Sequence, residues 1–336
     1  MKMTPGKLKG LNAVADARGV IAAAAMDQRG SLQKALAKEK GAPATPAMME
    51  EFKTAVSRAL TPHASAILLD PEFGLPAARA RARNAGLLLA YEQSGYDNTQ
   101  PGRLPDLLPH FSVRRLQADG ADCVKVLLYY TPFEDAPIND IKHAFIERIG
   151  AECRAADIPF FLEFVGYDPA GGDEKGLEYA RVKPEVVRAS IAEFSKDEYG
   201  VDVLKVEIPV NAKFVAGLPG VSGPTAYTKD EALEHYRRAA AAARKPFIYL
   251  SAGVSNAEFN TSLALAAEAG VRFNGVLCGR ATWKDGIAVY AKQGLAPFEQ
   301  WLATQGRANI EAVNRSLLAA SPWFAAYGAA SAAALG

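Results

Sequence analysis

The chain predicts a (β/α)8 (TIM) barrel of the α/β class, and three observations carry that prediction. Eight short apolar runs recur along its 336 residues, and a helix-patterned segment follows each. The polar residues that interrupt the runs come late in them, where a barrel keeps its chemistry. No glycine fingerprint follows the first run, which argues against an open doubly wound sheet.

The runs, in order, are GVIAAAAMD (19–27), SAILLD (65–70), GLLLAYE (86–92), DCVKVLLYY (122–130), PFFLEFVGY (159–167), VDVLKVEIP (201–209), PFIYLSAG (246–253) and FNGVLCGR (273–280). Each is nearly continuous in hydrophobicity, as parallel strands covered on both faces are. Helical patterning fills 46–59, 139–156, 183–194, 228–243 and 256–268. Start signals precede three of these: Thr45 before Pro46, Lys183 before Pro184, and Thr228 with Glu231 three residues on. Residues 1–325 are expected to form the barrel with additional C-terminal helices, anchored by Pro297, Trp301 and Trp323. The Ala-rich stretch 326–336 is expected to fray. Long loops at 166–181 and 211–227 follow the fifth and sixth runs, so both fall on the catalytic face.

Bulk properties exclude several classes. Hydrophobic residues make up 49% of the chain, enough for a large core. Net charge is +1 with no basic stripe, so neither nucleic acid nor a membrane is expected as partner. The start, MKMTPGKLKGLN, lacks the apolar run of a secretory signal. Cys123, Cys153 and Cys278 are widely spaced and odd in number, which reads as reduced core thiols in a cytoplasmic protein. None of the four histidines has a partner at metal-ligand spacing, so no metal and no cofactor is expected. Oligomeric state is not legible in these features, and a homo-oligomer is compatible with them.

The late polar residues are Asp27, Asp70, Glu92, Lys125, Glu163, Lys205, Ser251 and Arg280. Strand alternation places Lys205 on one face with Val203 and Glu207, Lys125 with Cys123 and Leu127, and Glu163 with Phe161 and Val165. If those faces point inward, two lysines and a glutamate are neighbours in the mouth of the barrel. At the reference pKa of ~10.4 only roughly one amine in 2,500 is neutral at pH 7. A low-dielectric site and a neighbouring cation both favour the neutral form, which attacks a ketone to give a Schiff base. A carboxylate between the lysines supplies the acid–base steps that imine formation needs. The competing reading is a structural ion network of Lys125 and Lys205 with Glu163 and Glu207.

The segments YLSAGVS and LCGRATW follow the seventh and eighth runs, a frequent phosphate site in barrels. There Gly253 and Gly279 admit a phosphate to the backbone, and Ser251 and Arg280 add a hydroxyl and a guanidinium. In AMDQRG, Asp27 is placed to orient or deprotonate a sugar hydroxyl, with Gln28 and Arg29 within reach of substrate oxygens or a second phosphate. No role is assigned to Asp70 or Glu92.

At these residues the sequence resembles the class I tagatose-1,6-bisphosphate aldolases of the tagatose 6-phosphate pathway of lactose and galactose catabolism. AMDQRG, ADCVKVLLYY, ERIGAECRAADIPFFLEF, YARVKPEVV, VDVLKVEIPVN, FIYLSAGVS and FNGVLCGRATW carry the resemblance, from about residue 7 to about residue 325. It implies a metal-independent lyase with Lys205 as the Schiff-base lysine. Glu163 would be the main acid/base and Lys125 the neighbouring cation, with Asp27 and Gln28 around the sugar. Ser251, Gly253, Gly279 and Arg280 would hold the ketone-side phosphate. The implied partner is a phosphorylated ketose, cleaved to dihydroxyacetone phosphate and glyceraldehyde 3-phosphate. The chain departs from the family's pattern at Thr131, in YYTPFED where the family continues YYD, and at Gly166, where the family has a bulkier residue. Those departures bear on substrate and suggest the same chemistry on a modified sugar such as 6-deoxy-6-sulfofructose 1-phosphate; a separate reading of a different class is a sugar-phosphate-sensing barrel with little catalysis.

Overall fold

Side-chain alternation decides what this barrel encloses. The computed structural model describes residues 2–93 and 99–336. Eight parallel strands close in chain order. They are β1 (Ile21–Met26), β2 (Ala66–Leu69), β3 (Gly86–Ala90), β4 (Cys123–Tyr129), β5 (Phe160–Val165), β6 (Val203–Val206), β7 (Phe247–Leu250) and β8 (Gly275–Cys278). Each lies within its expected apolar run. Interior positions include Ile21, Ala23, Ala25, Leu88, Cys123, Phe161, Val203 and Ile248, which pack on one another. The alternate positions, such as Ala24, Ile67, Val124, Leu162 and Leu204, pack outward beneath the helices. Lys125, Glu163 and Lys205 share parity with Cys123, Phe161 and Val203, so all three face the interior.

The N-terminal end of the barrel is closed by apolar side chains. Helix Pro5–Val14 sets Leu11 and Val14 beneath the strands, and Trp323 and Leu335 join them from the C-terminal end of the chain. The Ala-rich tail is therefore docked, not frayed. Leu335 is buried, the Met3 amide donates to its carbonyl at 2.7 Å, and the Tyr327 hydroxyl donates to the Asp202 carbonyl at 3.0 Å. Two anchors in eleven residues hold the tail, and low complexity concealed them.

Helix starts follow side-chain capping. Thr45 caps Pro46–Leu60 by accepting from the Met48 amide. Full capping boxes open Lys229–Ala241 (Thr228 with Glu231) and Asn256–Glu268 (Ser255 with Glu258). One expected start is corrected. The helix after β5 runs Leu177–Phe194, so Pro184 lies inside it and is not its first turn. Proline cannot donate to the carbonyl four residues back, that of Ala180. The Tyr227 hydroxyl donates to that carbonyl instead, which lets the helix pass through the proline and shortens the loop after β5.

Candidate active site

Three adjacent strands bring the predicted trio together. Glu163 and Lys205 are direct partners across the β5–β6 ladder, and Lys125 sits opposite Phe161 on β4. A single oxygen, Glu163 Oε2, accepts from Lys205 Nζ at 2.8 Å and from Lys125 Nζ at 2.8 Å. Lys125 Nζ also donates to Asp27 Oδ2 at 2.8 Å and to Glu92 Oε1 at 2.9 Å. All five side chains are nearly buried. Along the inner face of β4, burial falls from Cys123 and Lys125 to the half-buried Leu127 and Tyr129, so the site opens upward toward the C-terminal mouth.

The two lysines differ in electrostatic setting. Lys125 is encircled by Asp27, Glu163 and Glu92. Burial opposes its charge, but those carboxylates prevail and hold it well above the ordinary lysine range. Burial likewise works against ionisation of Asp27, yet Lys125 and then Lys205 keep its carboxyl well below the usual range. Glu163 is depressed for the same reason, against its own burial. Lys125 is thus a fixed cation that neutralises a ring of carboxylates. Among the described residues Lys205 is paired directly with one carboxylate, that of Glu163, and shares it. Glu207, the fourth member of the ion-network reading, pairs with neither lysine. It accepts from the Gly166 amide at 2.8 Å and pairs with Lys183 at 3.1 Å.

Glu92 belongs to this site, as its late position in the third run hinted. Its carboxylate touches Lys125, accepts from the Leu127 amide at 3.1 Å, and lies 3.5 Å from Arg29 Nη2. Asp70 serves a different lysine that sequence reasoning missed. Lys53 is fully buried on helix Pro46–Leu60, paired with Asp70, and donates to the carbonyls of Met26 and Gln28 at 2.8 Å each. Those carbonyls flank Asp27, so Lys53 shapes the turn that presents it. The available signal was periodicity: Lys53 stands with Met49, Phe52, Val56 and Leu60 on the apolar face of its helix.

The residues of AMDQRG divide. Asp27 Oδ1 and Gln28 Oε1 are buried and lack a hydrogen-bond partner among the described residues. Arg29 is committed through its two Nη atoms: it is 5% exposed, bonds Glu72 Oε2 at 2.9 Å, and donates to the Glu92 carbonyl at 2.8 Å, while its Nε has no partner among the described residues. The loops after β7 and β8 meet as expected. Gly253 has φ +77°, and a Cβ there would lie 2.7 Å from the Arg280 guanidinium. Gly279 faces Gln28, and Ser251 is buried beneath. Arg280 is exposed at the mouth. Of the two departures, Thr131 is buried and its carbonyl accepts from Asn139. Gly166 leaves room for the Tyr179 hydroxyl, which a Cβ would approach at 2.3 Å.

Comparisons with known proteins identify the family. The model of the DeoC/LacD family aldolases matches residues 21–285. A tagatose 1,6-diphosphate aldolase of Listeria monocytogenes serotype 4b is 52% identical over 329 residues, covering 98% of this chain and 96% of that relative. Tagatose 1,6-diphosphate aldolase 2 of Enterococcus faecalis is 52% identical over 326 residues, covering 97% and 98%. Among solved structures, a fructose-bisphosphate aldolase from Plasmodium falciparum superposes with a TM-score of 0.66 over 93% of this chain and 96% of its own, at 16% identity. That last likeness is one of fold. With a family model spanning most of its length and relatives sharing half its residues, the chain belongs to the DeoC/LacD family of aldolases, and it is a carbon–carbon lyase.

Proposed function

We propose that this enzyme cleaves D-tagatose 1,6-bisphosphate, and fructose 1,6-bisphosphate as well, through a Schiff base on Lys205. The observation that carries the proposal is the single Glu163 oxygen lying 2.8 Å from both lysine nitrogens. Lys205 passes a proton to Glu163 across that bond, and the neutral amine attacks C2 of the open-chain ketose. Glu163 returns the proton to the carbinolamine hydroxyl, water leaves, and an iminium forms. Ammonium and iminium carry the same charge, so the balance of the buried carboxylates is kept. Glu163 then takes the proton of the C4 hydroxyl, with Asp27 Oδ1 orienting hydroxyls. The C3–C4 bond breaks and its electron pair moves into the iminium, giving an enamine. Glyceraldehyde 3-phosphate departs, C3 of the enamine is protonated, and hydrolysis frees dihydroxyacetone phosphate and Lys205. The iminium is the electron sink throughout.

Lys125 holds Asp27, Glu92 and Glu163 in register and stays charged. The loops bearing Ser251, Gly253, Gly279 and Arg280 take the C1 phosphate, and Gln28 reaches the sugar beside them. We read the enzyme as cytoplasmic, in keeping with three buried free thiols. Among the described residues no helix is long and apolar enough to cross a membrane. The test is borohydride reduction in the presence of dihydroxyacetone phosphate, followed by peptide mapping. Mass added at Lys205 is expected. A label at Lys125 would reverse the assignment, and no adduct in an active enzyme would sink the imine route.

A further inference from the structure

A ketose bisphosphate has two phosphates, and the site described so far accounts for one. The order of strands around the barrel gives the direction of the other. The C1 phosphate lies at the loops after β7 and β8, C2 at Lys205 on β6, and the C4 hydroxyl at Glu163 on β5. The carbon chain therefore runs toward β4 and β3, and β4 stands opposite β8 in a ring of eight. Arg29 is the nearest sequence candidate there, but it is buried and held by Glu72 and Glu92.

Arg103 is the cation above that wall. It ends the short turn Pro101–Arg103, beyond β3, with φ +45°. Its guanidinium carbon lies 5.2 Å from the ring centre of Tyr129 and 4.8 Å from that of Tyr167. Tyr129 is the last residue of β4, on the same inward face as Lys125. Tyr167 is held rigidly, accepting from Lys142 Nζ at 2.8 Å and donating to Glu134 Oε2 at 2.5 Å. The guanidinium thus rests on two aromatic faces at the edge of the mouth. Its Nη2 bonds Glu174 Oε1 at 2.6 Å, and this pair is partly exposed, at 20% and 34%.

We propose that Arg103 receives the phosphate at the far end of the ketose, and that Glu174 occupies its guanidinium until substrate arrives. This rests on the reading of Lys205 as the imine lysine and of the β7 and β8 loops as the C1-phosphate site. A phosphate offers more negative charge and more acceptor oxygens than a carboxylate, in a geometry the guanidinium fork matches. The pair is open to solvent along one edge, where an incoming phosphate can displace the carboxylate. Glu174 lies in the loop after β5, so the exchange releases that loop from its ion pair with Arg103.

The experiment compares inhibitors that differ only in the far phosphate: hexitol 1,6-bisphosphate and hexitol 1-phosphate. In Arg103→Met the inhibition constant of the bisphosphate is expected to rise about 10- to 100-fold, the scale of losing a charge-assisted bond. That of the 1-phosphate is expected to stay unchanged. Arg103→Lys should recover part of the difference, and Glu174→Gln should tighten the bisphosphate alone. Equal weakening of both inhibitors, or of neither, overturns the assignment. Borohydride trapping of dihydroxyacetone phosphate runs in parallel. If the wild type fails to trap at Lys205, the aldolase reading itself fails. If Arg103→Met traps normally and binds both inhibitors as the wild type does, only the role of Arg103 is lost.

Discussion

The two ends of the barrel use the same alternation for opposite purposes. At the N-terminal end the inward positions are apolar, and Leu11, Val14, Trp323 and Leu335 fill the space against them. At the C-terminal end the inward positions of β4, β5 and β6 are Lys125, Glu163 and Lys205, satisfied by one another and by Asp27 and Glu92. One end lowers free energy by leaving water. The other accepts the cost of desolvating charges and recovers it only while every partner is present. Changes at the closed end should therefore cost stability and spare rate per folded molecule. Changes at the open end should cost rate, and cost stability only where a charge is left unpaired.

The largest effect expected is that of Lys205→Met. Glu163 keeps its bond to Lys125 in this variant, so the fold should hold, while turnover and borohydride-trappable adduct both vanish. A variant that still cleaved ketose bisphosphate would break the contrast at its centre. Lys125→Met should act on both scales, because it strands Asp27, Glu92 and Glu163 without their shared cation. A loss of about 3–5 kcal/mol is expected, as for other broken buried pairs. Lys125 is also the main charge holding Asp27 and Glu163 low, so their carboxyls should rise and the acid limb of the kcat/KM profile should move toward neutral pH. An unmoved acid limb would separate Lys125 from the proton chemistry.

The signs of these shifts fix where the wild-type cluster contributes. Depressed carboxyls stabilise above their unfolded values and lose that contribution as pH falls through their folded ones. The raised Lys125 stabilises below its unfolded value and loses it only as pH climbs through its folded one. Between about pH 4 and pH 10, set by the unfolded reference values, the share of stability from Asp27, Glu163 and Lys125 should be flat. Urea melts across that range test it in the wild type. At the closed end, Trp323→Ala should cost about 3–5 kcal/mol. Its kcat at a temperature where it remains folded should match the wild type.

Much of this was legible in the sequence because strands report their exceptions. A lysine in DCVKVLLYY or VDVLKVEIP breaks an apolar run, and period-two alternation assigns it a face. Glu163 was found in the same way. Helices report theirs less openly. Lys53 looked like one more charge in EEFKTAV, and only its place among Met49, Phe52, Val56 and Leu60 marks it as buried. Arg103 was less legible still, because its turn has no period to violate and its neighbours Tyr129 and Tyr167 come from the end of β4 and from the loop after β5. The number of carboxylates around Lys125 was equally hidden. Asp27, Glu92 and Glu163 come from three separated segments, and only barrel closure brings them within 3 Å of one nitrogen.

The smallest effect expected is a difference between two hydroxyls. At the closed end the Tyr327 hydroxyl donates to the Asp202 carbonyl at 3.0 Å. Tyr327→Phe should leave that acceptor short of a partner and lower stability by about 1 kcal/mol. At the open end the Tyr179 hydroxyl is buried against Gly166 and has no hydrogen-bond partner among the described residues. Burial pushes that phenol well above its ordinary range, and the carboxylates of Glu207, Glu174 and Asp168 push it further, so it stays a neutral donor. Its desolvation is uncompensated, so Tyr179→Phe should leave stability unchanged or raise it by up to about 1 kcal/mol. Chemical denaturation of the two variants side by side measures the contrast. Equal losses would mean that the Tyr179 hydroxyl is satisfied, and that the open end is packed as completely as the closed one.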